Sequence, residues 1–269
     1  MSAGTVVLVG CGQMGSAMLR GWVASNAASN YVVVEPAGIS DALLSEPSID
    51  ALSDASELAD ALAPDAVVFA VKPQVIGDIV PAYRRFARPQ TVFMSIAAGT
   101  TIANLTKHLG EAAIVRVMPN TPAAIGRAIS VACANPRVTV AQRQLCDALL
   151  ASIGESAWVE DEALIDPVTA VSGSGPAYVF LLIETLAEAG KKAGLPPELA
   201  LQLAKATVAG AGELARVSSE TPSRLRENVT SPGGTTRAAL DVLMGEDRLA
   251  ELMTRAVAAA TKRSRELAS

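Results

Sequence analysis

From Thr5 to about Val159, short runs of β-branched and apolar residues alternate with longer segments of helical period. That alternation marks βαβ units, and the near-continuous apolar strands mark a parallel sheet covered on both faces. The pattern predicts strands over Thr5 to Val9, Tyr31 to Glu35, Ala66 to Val71, Thr91 to Ser95, Ala113 to Met118 and Ile129 to Ala134. Helices are expected over Gln13 to Ser25, Gln74 to Phe86, Ile102 to Leu109 and Thr139 to Ile153. After Glu160 the β pattern stops, and Ala/Leu-rich helix punctuated by Gly, Pro and Ser takes over. The expected fold is therefore α/β: a doubly wound parallel sheet over 1–160, then an all-helical domain over 161–269.

The helical part has an unusual pattern. Pro176 to Ile183 carries no charge, and Leu199 to Ala215 carries only Lys205 and Glu213, so both stretches are apolar nearly all round. Such helices must be buried, and a domain of this size cannot easily bury them alone. A partner subunit is expected, as a homodimer at least.

Composition narrows the classes. Half of the 269 residues are hydrophobic and 18% are charged, which gives a globular chain with ample core. A net charge of −5 without Lys/Arg clusters disfavours nucleic acid and membrane surfaces as partners. No basic residue precedes the first apolar run, so the start reads as a strand and not as a secretory signal. No apolar stretch is expected to reach bilayer length. Cys11, Cys133 and Cys146 are odd in number, far apart and without metal-ligand spacing, which predicts reduced, packed thiols in a cytoplasm and no metal site.

Gly10, Gly12 and Gly15 form G-x-G-x-x-G around Cys11, Gln13 and Met14, directly after the first strand and at the mouth of a helix. There, backbone amides and the helix dipole suit a dinucleotide pyrophosphate. Glu35 closes the second strand at the spacing of a carboxylate that accepts the ribose hydroxyls of NADH and repels the 2′-phosphate of NADPH. Between Arg20 and Lys72 there is no Lys, Arg or His, whereas eight Asp and Glu residues fall there, so NADH is favoured. A carboxylate that merely solvates a strand end is the plainer alternative.

Further segments sit where open α/β sheets bind ligands, at the carboxyl ends of strands. Ala70, Val71, Lys72 and Pro73 close one strand, with Lys72 either placed for the cofactor ribose or nicotinamide region or merely solvated at the strand end. Asn120, Thr121 and Pro122 follow the strand ending at Met118 and offer groups to fix the nicotinamide, with a plain turn as the alternative. Ser172 to Pro176 joins two helical stretches, with Ser174 a candidate N-cap. In Ser231 to Thr236, a Pro-Gly-Gly break precedes a helix start, so free amides gather around Gly234, Thr235 and Thr236. Those amides and the Ser231 hydroxyl suit a carboxylate. His108, the only histidine, lies in a polar stretch at the end of a short helix and reads as a surface residue.

Taken in order, the glycine loop, Ala70-Val71-Lys72-Pro73, Asn120-Thr121-Pro122, Ser172-Gly173-Ser174-Gly175-Pro176-Ala177-Tyr178 and Ser231-Pro232-Gly233-Gly234-Thr235-Thr236 resemble the pyrroline-5-carboxylate reductases. The resemblance implies a Rossmann domain followed by a helical domain that intertwines with its copy in a dimer, often assembled further into an oligomer of dimers, with the active site between one subunit's nucleotide domain and helices at the dimer interface. It further implies hydride transfer from NADH or NADPH to 1-pyrroline-5-carboxylate, giving proline. Ser231, Gly234, Thr235 and Thr236 would meet the substrate, Thr236 would hydrogen-bond the imine nitrogen, and Ser174 would shape the pocket floor. Glu35 departs from the family, which often carries a small polar residue there and commonly uses NADPH. Two other readings remain: a 3-hydroxy-acid dehydrogenase of the same plan, wanting a lysine in the interdomain helix that Lys191 and Lys192 do not clearly provide, and a dinucleotide-binding sensor without catalysis.

Overall fold

A computed structural model describes residues 3–268. By contact the chain forms two compact units, one running through Gly173 and taking back the chain from Ala260 onward, the other covering Ser174–Ala259. The strands end before the first of these limits, so the composition shift near Asp161 and the contact boundary mark different things.

The first unit holds eight strands: β1 (Ala3–Val9), β2 (Ala28–Val34), β3 (Ile49–Leu52), β4 (Ala66–Phe69), β5 (Val92–Ser95), β6 (Ala113–Met118), β7 (Ala128–Ala134) and β8 (Gly154–Trp158). They form one sheet in the order β3-β2-β1-β4-β5-β6-β7-β8. All neighbours run parallel except β6 and β7. The expectation of a parallel sheet fails at that pair because only the short turn around Thr121–Ile125 separates the strands. A parallel crossover needs a dozen or more residues.

Alternation along the central strands builds two cores. Val6 and Leu8 of β1 point, with Val68, Met94 and Val115, into a cluster that includes Met18 and Trp22 of the first helix, Gln13–Ser25. Val7, Val9, Val67, Phe69, Phe93 and Ile114 point the other way, onto Tyr83, Phe86 and Leu105. A strand buried on both faces reads as an uninterrupted apolar run, which is why β1, β4 and β5 were legible. Two large polar side chains of the core are paired: Trp22 Nε1 donates to Leu149 O at 2.9 Å, and Tyr31 Oη donates to Trp22 O at 2.9 Å.

Two strands escaped the pattern. β3 is four residues long at one edge, and β8 at the other edge is mostly exposed, so neither carries an apolar run. The helix expected from Gln74 to Phe86 is instead a 3₁₀ turn (Pro73–Val75), one α-turn (Ile76–Ile79) and a further 3₁₀ segment (Val80–Phe86). Pro81 lacks the amide that a regular helix needs there.

The second unit is helical. Helices Gly175–Lys192 and Pro197–Val217 pack through small residues, with Gly190 so close to Ala200 that an added Cβ would sit 3.3 Å from the alanine methyl. Helices Pro222–Asn228 and Thr235–Met244 follow, and helix Arg248–Ala268 runs on into the first unit. The expectation about bilayer length needs correction. Glu162–Lys192 is a helical run of 31 residues, long and apolar enough to cross a membrane by length and composition alone. Of the Gly and Ser residues at 172–175, Ser172 and Gly173 lie in a π-turn over Thr169–Gly173, and Ser174 is a bend with helical φ and ψ before the next helix begins at Gly175.

Candidate functional site

The glycine loop sits between the carboxyl ends of β1 and β4, where the strand order reverses. Each glycine has its own physical reason. Gly10 has φ +90°, and a Cβ on it would lie 2.8 Å from Ala70 O. A Cβ on Gly15 would collide with Gly10 O, so this glycine lets the helix press against the turn. Gly12 differs from both: a Cβ there would meet nothing within 4 Å. The open face belongs to the N-cap of helix Gln13–Ser25, which has no side-chain cap, so its first amides point outward and suit an anion.

Two cavities flank this cradle, and both include Gly12, Ala70, Val71 and Lys72. One, of about 450 Å³, is bounded by Glu35, Ser53, Asp54, Asp78 and Tyr83. The other, of about 490 Å³, is bounded by Gln13, Met14, Pro73, Asn120, Thr121 and Gly173, with Ile96, Ala97 and Ala98 on a further wall. A dinucleotide has two such halves joined by a pyrophosphate, so this arrangement fits it.

The Glu35 carboxylate accepts the Cys11 amide at 2.7 Å and the Ala37 amide at 3.2 Å, which holds it at the end of β2 beside the first cavity. Its surroundings are acidic. Asp54 is held below the usual carboxylate range by hydrogen bonds from the Ser56 side chain and amide. Burial and then Asp54 push the Tyr83 phenol up. Lys72 is the single cation among the described residues bounding that cavity. The fold also brings Arg85 near, which the stretch between Arg20 and Lys72 did not reveal. Its guanidinium is committed to Ala55 O at 2.7 Å, Leu58 O at 3.0 Å and Asp60 at 3.0 Å.

On the other side, Asn120 borders the cavity with its carboxamide already engaged. Nδ2 donates to Ser172 O at 3.2 Å, and Oδ1 accepts the Ile129 amide at 3.0 Å. Asn120 therefore joins the two motifs around 120 and 172 that the sequence showed apart. Pro122 is half-buried in the turn behind Thr121.

Cys11, Cys133 and Cys146 are all free. Burial raises each thiol, assisted at Cys11 by Glu35, and pushes Cys146 up to about 12. His108 ends helix Ile102–Leu109 beside Gly77, with Nε2 3.9 Å from where a Cβ on that glycine would be, and it borders neither cavity.

Ser174 and Ser231 to Thr236 belong to the helical unit. Ser174 precedes helix Gly175–Lys192 but makes no side-chain cap bond, contrary to the expected N-cap role; its carbonyl accepts the Ala177 amide instead. Ser231 to Gly234 closes as a turn, with Gly234 N donating to Ser231 O at 3.1 Å and Gly233 at φ +67°. Gly234 then caps helix Thr235–Met244 without a side chain, leaving the first amides of that helix without an intrahelical partner. An added Cβ on Gly234 would lie 2.6 Å from Ser231 Oγ, so the hydroxyl rests over the glycine.

Sequence reasoning missed the far walls of both cavities. Ser53 and Asp54 follow the overlooked β3, while Ile96 to Ala98 and Met118 carry only apolar or small side chains. Only the position after a β-strand could have flagged them.

Known proteins resemble the chain throughout. The family described as pyrroline-5-carboxylate reductase dimerisation matches residues 162–267, and that described as NADP oxidoreductase coenzyme F420-dependent matches residues 5–99. Pyrroline-5-carboxylate reductase of Pseudomonas aeruginosa is 39% identical over 100% of this chain and 98% of its own. The pea enzyme of the same name is 39% identical over 98% and 96%. Among solved structures, a pyrroline-5-carboxylate reductase from Coxiella burnetii superposes with a TM-score of 0.90 at 33% identity, covering 98% of both chains. The Plasmodium falciparum pyrroline carboxylate reductase with NADP bound superposes with a TM-score of 0.83 at 31% identity, again covering 98% of both. With a cradle for a dinucleotide in one unit, a dimerisation match over the other and this identity along its full length, the chain belongs to the pyrroline-5-carboxylate reductase family.

Proposed function

We propose that the chain reduces 1-pyrroline-5-carboxylate to proline, with NADH as the preferred hydride donor. The observation that carries the reading is the open glycine cradle between two cavities, in a chain that matches pyrroline-5-carboxylate reductases from end to end. A bound nicotinamide supplies the hydride. The amides of Gln13, Met14 and Gly15 hold the pyrophosphate, with Gly10 and Cys11 shaping the turn. Glu35 accepts the ribose hydroxyls. Ala70, Val71, Lys72, Pro73, Asn120, Thr121 and Pro122 place the nicotinamide end. In the helical unit, the Ser231 hydroxyl and the amides of Gly234, Thr235 and Thr236 take the substrate carboxylate, and Ser174 shapes the pocket floor. The Thr236 hydroxyl holds the ring nitrogen. A protonated imine is already an electrophile, so positioning and one hydrogen bond suffice where an alcohol would need a general base.

The preference for NADH rests on charge. Glu35, Asp54 and Asp78 face the first cavity, Lys72 alone opposes them among the described residues there, and Arg85 is taken up by carbonyls and Asp60. A 2′-phosphate would meet carboxylates at close range. Free, packed thiols suit a cytoplasm, and a homodimer is the smallest assembly that covers the apolar helices.

Separate assays with NADH and NADPH on 1-pyrroline-5-carboxylate test the whole reading. Higher kcat/KM with NADH is expected. Equal or better efficiency with NADPH overturns the preference and leaves the reductase. Dinucleotide binding without turnover favours the sensor.

A further inference from the structure

The last turns of helix Arg248–Ala268 belong to the nucleotide-binding unit. Ser264 is 5% exposed and donates its hydroxyl to Asp166 Oδ1 at 2.7 Å, across 98 positions of sequence. Arg265 Nε lies 3.9 Å from the other Asp166 oxygen. Asp166 is 4.0 Å from Nη2 of Arg116, a buried β6 guanidinium whose Nη1 pairs with Glu162 at 2.9 Å. The same Glu162 oxygen accepts the Ile102 amide at 2.8 Å. Ile102 opens the helix that follows the loop from Ile96 to Thr101.

That loop is thus held from two sides. Glu162 fixes its far end, and Leu267 lies against its middle, where a Cβ on Gly99 would come 2.8 Å from Leu267 O. Its near part, Ile96, Ala97 and Ala98, is a wall of the cavity beside Met14 and Asn120. Ala97 joins the core beneath, but Ala98 and Gly99, the latter with φ +75°, offer little side chain for packing, so the position of the loop's middle depends on what stands behind it.

We infer that the C-terminal turns, through Ser264 and Leu267, are a brace that positions the nicotinamide side of the cofactor site, with Asp166 as the joint between brace and sheet. The inference rests on the dinucleotide reading above. Ser264 and Leu267 act through the loop as positioning residues. A loosened wall changes the half of the ligand that it faces and spares the half beside Glu35.

Binding of NADH and of ADP-ribose, which lacks the nicotinamide, separates the two halves. Ser264→Ala and a chain ending at Glu266 are compared with the unaltered protein by equilibrium titration. The expected result is a five- to twentyfold rise in the NADH dissociation constant in both variants, with ADP-ribose affinity within twofold. If Ser264→Ala does not fold, the shortened chain, which keeps the buried bond, carries the test. Losses that are equal for both ligands overturn the inference and make the C-terminus a general stabiliser, as does NADH binding that is unaltered. An unaltered protein that binds neither ligand overturns the dinucleotide reading itself, and the brace with it.

Discussion

Trp22, Phe69 and Phe93 of the nucleotide-binding unit are fully buried, whereas Phe180, Leu181 and Leu182 of the helical unit are 59%, 57% and 54% exposed. The two units are similarly rich in apolar residues but place them differently. In the first, two faces of one sheet are each covered by helices from the same chain, and the core closes on itself. In the second, the buried apolar side chains among the described residues are Ala187, Ala200 and Ala204, small residues at the crossing of two helices. Large side chains there, such as Phe180, Leu181 and Leu182, are left more than half exposed by their own unit. One unit is a finished core and the other is part of a core, which is what a dimerisation domain requires.

The largest expected effect breaks the comparison directly. Phe180→Asp should leave the fold of the chain intact, because the side chain is exposed within it, yet abolish assembly. Burying such a side chain is worth about 1.5–3 kcal/mol, twice over in a two-fold interface, so the dissociation constant should rise by roughly two to four orders of magnitude. Sedimentation equilibrium with circular dichroism checks both halves. An unaltered protein that is monomeric and active at micromolar concentration would mean that the helical unit is complete as it stands.

Next in size is the contribution of the helical unit to chemistry. Thr236→Ala should lower kcat/KM by about ten- to hundredfold, the cost of one hydrogen bond to a charged group at roughly 1.5–3 kcal/mol, with cofactor binding retained. His108→Ala should stay near full activity, since the imidazole borders neither cavity. Steady-state kinetics with a dinucleotide titration decide it. The reverse outcome would move acid–base catalysis into the nucleotide unit and favour the hydroxy-acid dehydrogenase reading.

A smaller effect is expected inside the nucleotide unit. Glu35→Ser should shift the ratio of NADH to NADPH efficiency toward NADPH by about tenfold, as one close carboxylate–phosphate repulsion is removed, on the order of 1.4 kcal/mol. The two efficiencies, measured separately, report it. An unchanged ratio would show that Glu35 serves only to hold the Cys11 and Ala37 amides.

The smallest effect sharpens the contrast in core quality. Ser130 on β7 is fully buried, and its hydroxyl has no hydrogen-bond partner among the described residues. Ser130→Ala should stabilise the fold by about 1 kcal/mol, a rise of roughly 2–4 °C in Tm, without altering assembly. Differential scanning calorimetry on both proteins gives the answer, and a lower Tm would show that the hydroxyl is satisfied in solution.

The legible parts of the molecule were those in which local pattern and tertiary role coincide. β1, β4 and β5 are buried on both faces, so their apolar runs announced them, and the strand-turn-helix around Gly10, Gly12 and Gly15 needed no distant partner to be read. The short edge strand β3 and the exposed β8 had no such run. With β3 went Ser53 and Asp54, which depend on it for their place beside Glu35. Asn120 was found as a motif, but the bonds to Ser172 and Ile129 that engage its carboxamide join residues 52 and 9 positions away.

The sequence by itself determined the alternation of strand and helix up to Val159, the glycine cradle, the family and the need to cover two apolar helices, because each is written in neighbouring residues or in a period of two or 3.6. The tertiary structure decided what depends on distant partners. It turned β7 antiparallel to β6, committed Arg85 to carbonyls near β3, and joined Ser264 to Asp166 behind the loop at Ile96 to Ala98. Hydrogen bonds and ion pairs of this kind have no sequence period, since their partners lie far apart along the chain and meet only in the folded structure.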